Sequence, residues 1–145
     1  MVKILFMAAV LLSPIMVHGQ VYDGAWTNAS DVPTFIVDGG QVTYFSSELV
    51  YFCCCWWQIS TSDYTTTPSP ISGNHFEVTL STSDGTFLFK GYFTSASVCT
   101  GTYSMTSASC FGGGNWTTNV RKTLIYAHAW LVQHDAEELR EKNCS

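Results

Sequence analysis

A chain of 145 residues with a formal net charge of −5 and only 12% charged side chains carries one domain's worth of core and is a poor partner for nucleic acid or an anionic membrane surface. Aromatic residues at 14% exclude a disordered polymer. Serine and threonine together approach a quarter of the chain, a composition suited to strands with hydroxyl-rich outer faces.

In chain order, Lys3 precedes the apolar run Ile4 to Leu12, Ser13-Pro14 interrupts it, and small residues follow to Gly19. This is the layout of a secretory signal peptide over 1–19, with cleavage after Gly19 and a mature chain starting at Gln20. The apolar stretch from Ile4 to Val17 is 14 residues long, short of the roughly 20 needed to span a bilayer. The longest later run, Leu124 to Val132, has nine residues and contains His128. The expected product is a secreted, extracellular chain with no transmembrane segment, one unit more negative once Lys3 is removed.

Turn signals then punctuate the sequence at Asp23-Gly24, Asp38-Gly39-Gly40, Pro68-Ser69-Pro70, Ser72-Gly73-Asn74, Asp84-Gly85 and Gly112-Gly113-Gly114. Between them the spacing predicts strands at Val21–Thr27, Thr34–Val37, Val42–Phe45, Leu49–Ser60, His75–Ser81, Thr86–Thr94, Gly101–Thr106 and Trp116–Tyr126. Alternation turns Phe76, Val78 and Leu80 inward and aligns Phe87, Phe89, Gly91 and Phe93, with Gly91 at a bulge or a close approach by a neighbouring backbone. Leu49 to Ile59 is apolar on both faces, which predicts a central strand or one covered by the C-terminal segment. The predicted fold is all-β over 20–127, an antiparallel meander closing into a β-sandwich or small barrel. A short helical tail over 128–145 follows, in which Asp135 and Glu138 have the spacing of a capping box.

Six cysteines, Cys53, Cys54, Cys55, Cys99, Cys110 and Cys144, enter an oxidising compartment and are expected to pair as disulfides. In a regular strand Cys53 and Cys55 face one way and Cys54 the other, so at least one of them reaches across the fold, with Cys110, Cys99 and Cys144 as possible partners. Three consecutive cysteines lack the C-x-x-C spacing of a metal site, and no third ligand accompanies His128 and His134. No metal or cofactor is nominated.

The chain resembles a group of small secreted β-domains of uncharacterised function that carry G-x-W, F-x-V-x-G-x-V, a cysteine, G-x-F-T-S-A followed by G-T, and a second cysteine before W-T. The matching residues are Gly24-Ala25-Trp26, Phe35 to Val42, the cluster Cys53 to Cys55, Ile71 to Phe76, Gly91 to Ala96, Gly101-Thr102-Tyr103, Cys110 and Trp116-Thr117. They cover the chain from Asp23 to Arg121. The triple cysteine, Cys99 and the acidic C-terminal tail depart from the pattern. The resemblance implies a disulfide between the 53–55 cluster and Cys110, and it implies no activity.

Residues able to carry chemistry mostly have other employment. Asp23, Asp38 and Asp84 precede glycines in turns, where short carboxylates bond the backbone. Glu48 and Glu77 lie on strands, His75 follows a turn, and no G-x-S-x-G elbow marks a nucleophile. Aromatic rings make the better case, because flat rings stack on sugars. The candidates are Trp56, Trp57, Tyr51 and Tyr64, with Tyr44 and Trp130 beside them, and a regular strand would point Trp56 and Trp57 to opposite faces. Sequons at Asn28 and Asn115 are candidate glycosylation sites, with Asn28 the better acceptor and Asn143 the poorest. The expected function is a non-enzymatic extracellular module that binds a glycan or a protein surface. The alternatives are an inhibitor or effector acting on a foreign protein, and a hydrolase with a dispersed site.

Overall fold

The computed structural model describes residues 22–28, 33–54 and 57–125, together with Ala129, Leu131 and Val132. Its strands are β1 (Gly24–Thr27), β2 (Thr34–Asp38), β3 (Gln41–Cys53), β4 (Trp57–Thr65), β5 (Ser69–Pro70), β6 (His75–Thr82), β7 (Gly85–Phe93), β8 (Cys99–Thr106), β9 (Cys110–Phe111), β10 (Gly113–Thr118) and β11 (Val120–Lys122). All neighbours pair antiparallel. One sheet runs β11-β1-β2-β3-β4, with β5 and β9 also on β3, and the other runs β10-β8-β7-β6. Apolar residues from both sheets meet in one core, so the all-β expectation resolves as a sandwich.

The strand β3 is the spine of the first sheet. Its edges each carry two partners, β2 and β9 on one side and β4 and β5 on the other, as the shared registers at Gln41–Val42, Phe45–Ser46 and Phe52–Cys53 require. A hairpin enters it through Gly39 and Gly40 at φ 59° and 79°, the left-handed pair that a two-residue turn matched to strand twist demands. The register then slips between Ile36 and Val37, leaving Thr43 as an extra residue. That bulge turns both Val42 and Phe45 inward, where strict alternation would bury only one.

The predicted strand Leu49–Ser60 is instead two. It ends at Cys53, reverses through Cys54 at φ 24°, and returns as β4 with Trp57 opposite Cys53. The regular strand assumed across the cysteine and tryptophan cluster is therefore interrupted after Cys53, and Cys55 and Trp56 lie outside the described residues. The predicted strand Trp116–Tyr126 is likewise broken. It runs over β10 and β11, and Leu124, Ile125, Ala129, Leu131 and Val132 are helical. Leu124 and Leu131 pack on Ala25, Ile36 and Tyr44 on the outer face of the first sheet. The described residues of the C-terminal segment thus cover a sheet face over β1, β2 and the start of β3. Asp135 and Glu138 lie outside the described residues. The Gly112-Gly113-Gly114 signal opens β10 rather than marking a hairpin turn.

The core is aromatic. Phe35 stacks on Phe45 at 5.8 Å and meets Phe76 at 5.1 Å and Trp116 edge-on at 6.0 Å. Tyr22 lies flat on Phe93 at 4.0 Å. Each buried ring of this kind contributes roughly 1.5–3 kcal/mol by leaving water, and a favourable pair adds about 0.5–1.5 kcal/mol. Across the second sheet Phe76, Gly91, Gly101 and Trp116 occupy one row. A Cβ on Gly91 would overlap the Phe76 ring, and one on Gly101 the Trp116 ring. The two glycines make the hollow into which the outer rings fold, so the close approach at Gly91 is made by the Phe76 side chain and not by the expected backbone.

Cys53 and Cys110, opposite each other on β3 and β9, form a disulfide with a sequence separation of 57. This is the pairing the resemblance implies. Two of the other expected disulfide cysteines carry free thiols: Cys54 is exposed at the reversal, and Cys99 is fully buried at the start of β8. The cause at Cys99 is its inward place in an apolar core, where burial pushes the thiol up to about 12. Cys144 lies outside the described residues.

Candidate functional site

On one flank of the sandwich the chain rounds the corner from β10 to β11, and Asn119 N–H donates to the Thr27 carbonyl at 3.1 Å. Arg121 seals that flank. Its Nη2 and Nε donate to the Asp23 carbonyl at 2.7 and 3.1 Å, Nη1 donates to the Ala96 carbonyl at 2.9 Å, and the guanidinium sits 5.4 Å from the centre of the Trp26 ring. One cation thereby ties the start of the domain, the turn after β7 and the last strand together.

The opposite flank lies between the edge strands β4 and β6, and it is open. Pairing with β3 sets which side chains line it: Trp57, Ile59, Thr61, Asp63 and Thr65 stand opposite Cys53, Tyr51, Leu49, Ser47 and Phe45, so they share the core-facing side of the sheet. Three of these five are hydroxyl or carboxylate residues. They cannot close on the apolar face of β6 without losing water, and two depressions remain. The larger, about 500 Å³, is bounded by Tyr51, Ile59, Thr61, Asp63, Thr82 and Asp84 among others. The smaller, about 300 Å³, lies toward β5 between Thr65, Thr67 and Ser69 on one wall and Glu77, Val78 and Thr79 on the other. Trp57, at the far end of the same strand face, is 74% exposed.

Tyr51 was expected to offer a binding ring, and the structure corrects this. The ring is 2% exposed and meets Phe87 edge-on at 5.3 Å. Only its hydroxyl reaches the groove, donating to Asp84 Oδ2 at 2.8 Å. That bond to a carboxylate, aided by burial, raises the phenol above its ordinary value. Asp84 is set by the two-residue turn between β6 and β7, where its N–H donates to Thr82 Oγ1 at 3.3 Å. Asp63 accepts the Tyr64 N–H at 2.8 Å.

Among the remaining candidates, Tyr64 is half exposed on the outer face, stacked on Tyr44 at 6.0 Å, so it and Trp57 occupy opposite faces of β4. Trp56 and Trp130 lie outside the described side chains. The acids and histidine considered for hydrolysis are not brought together. Glu48 accepts the Ser60 hydroxyl at 2.9 Å on the outer face of the first sheet, and Glu77 pairs with Lys90 at 3.1 Å on the other sheet. His75 Nδ1 lies 2.8 Å from the Ser72 carbonyl and stacks on Tyr92. Among the described residues no group of three His, Cys, Asp or Glu is placed to hold a metal ion, and no helix is long and apolar enough to cross a membrane. The sequons differ: Asn115 is exposed on β10, whereas Asn28 donates from Nδ2 to the Thr117 carbonyl at 3.3 Å.

Sequence reasoning missed Thr61, Asp63 and Arg121. The signal for the first two was present as the alternation Trp-x-Ile-x-Thr-x-Asp-x-Thr from Trp57 to Thr65, which is readable once the chain is known to turn at Cys54. No family model, curated protein or solved structure matches this chain.

Proposed function

We propose that the protein is a secreted binding module that lays a carbohydrate chain in the groove between β4 and β6. The observation that carries this reading is Trp57, an indole 74% exposed on the same strand face as a row of hydroxyl and carboxylate side chains. A pyranose offers an apolar face to a flat ring and hydroxyls to a polar wall, and one face of β4 carries both partners, Trp57 at its end and the polar row along it. The signal-peptide layout and the Cys53–Cys110 bond support an extracellular setting. In a glycosylating host Asn115 is the acceptor favoured by its exposure, and intact mass before and after enzymatic deglycosylation of Asn115→Gln and Asn28→Gln variants separates the two sequons.

The test is retention on insoluble polysaccharides followed by calorimetry with soluble fragments. Trp57→Ala should weaken binding on the order of thirtyfold, equivalent to the ~2 kcal/mol of a hot-spot aromatic, with the thermal midpoint unchanged. Absence of binding to any glycan, or equal binding by the Trp57→Ala variant, overturns the reading. Docking to a protein surface is the second reading. It is favoured by Phe111, half exposed and stacked on Phe52 at 5.6 Å on the outer face of the first sheet.

A further inference from the structure

Charge along the groove narrows the class of glycan, an inference that rests on the carbohydrate reading above. Neither depression has a lysine, arginine or histidine among its lining residues, while three carboxylates border them. The three are not equivalent. Glu77 is neutralised by Lys90 at 3.1 Å. Asp63 and Asp84, both on the larger depression, accept from neutral donors, the Tyr64 N–H and the Tyr51 hydroxyl. Each donor occupies one carboxylate oxygen and leaves the negative charge uncancelled. A concave wall with apolar backing from Ile59 weakens solvent screening and focuses that charge on whatever lies in the groove.

We infer that the groove selects a glycan bearing free amino groups, a glucosamine-type polymer, over neutral chains and against uronate or sulfated ones. An ammonium has three donors and no acceptor, which matches two carboxylates with unused lone pairs. A uronate would bring like charge to the same wall. Trp57 then supplies affinity that is indifferent to charge, and Asp63 with Asp84 supplies the discrimination.

The experiment compares three soluble oligosaccharide ligands of equal length with the full chain: glucosamine oligomers, the same oligomers N-acetylated, and oligogalacturonate. The expected result is free-amine binding at least about tenfold tighter than the acetylated form at low salt, a gap that narrows as salt screens it, and no measurable uronate binding. The double variant Asp63→Asn with Asp84→Asn keeps a carbonyl oxygen to accept both native hydrogen bonds, so it tests charge rather than folding. In it the preference should fall to within about twofold while acetylated binding persists, and Asp38→Asn, on the hairpin between β2 and β3, should retain the full preference. Equal or tighter binding of the acetylated or uronate ligand, or a preference that survives the double variant, overturns this inference and leaves the carbohydrate reading standing. If none of the three ligands nor any polysaccharide binds, both fall.

Discussion

The two flanks of the sandwich are built from similar strands and end up opposite in character. Around β1, β10 and β11 the space between sheets is filled by Trp26, Phe35, Phe93 and Trp116, and Arg121 ties the rim. Between β4 and β6 the inward positions carry Thr61, Asp63 and Thr65, and the sheets part into a groove. The difference is a matter of side-chain chemistry on one strand: rings gain by excluding water, and hydroxyls do not. The closed flank holds packed rings, and the open flank keeps its polar positions in water.

Four experiments break or sharpen that contrast. Phe35 touches rings from both sheets, so Phe35→Ala should cost about 3–5 kcal/mol, read as a lower denaturant midpoint. Replacing Cys53 and Cys110 by serine frees a long loop in the unfolded chain and should cost roughly 4 kcal/mol by the chain-entropy argument, again by denaturant titration. Cys99 gives a pH signature for the closed core. Its thiol ionises near 9 when unfolded and at about 12 when folded, so the stability held by the neutral thiol is intact below pH 9 and declines as pH rises toward 12. Cys99→Ala should be less stable at neutral pH yet flatter across that window, as thermal midpoints at a series of pH values will report. The smallest effect belongs to the open flank, where Thr61→Ala should stay within about 0.5 kcal/mol of the parent in the same titration. A loss of several kcal/mol there would mean that the groove wall is core after all.

How much of this could be read beforehand follows the same physics. Strands β6, β7 and β8 were legible because Phe76-x-Val78-x-Leu80 and Phe87-x-Phe89 alternate against polar neighbours and turn residues bound them. The reversal after Cys53 was not, because cysteine and tryptophan favour strands and no glycine, proline or asparagine marks the turn that Cys54 makes at a positive φ. The bulge at Thr43 and the two-residue strands β5 and β9 escaped for a related reason: each is decided by what pairs with β3, a fact about distant residues. The groove inherited these errors. With the expected strand ending at Ser60 and the observed one running on to Thr65, Thr61 and Asp63 fell outside it and were not placed on the side of Trp57. Arg121 bonds backbone carbonyls of residues far away in sequence, and carbonyls leave no trace in a sequence.

The covalent ring closed by Cys53 and Cys110 runs through β4, the groove and all of β6, β7 and β8. A protease that cuts anywhere between those cysteines therefore releases no fragment. The nicked chain migrates as one species until it is reduced, and the wall formed by β4 can be severed without its halves parting.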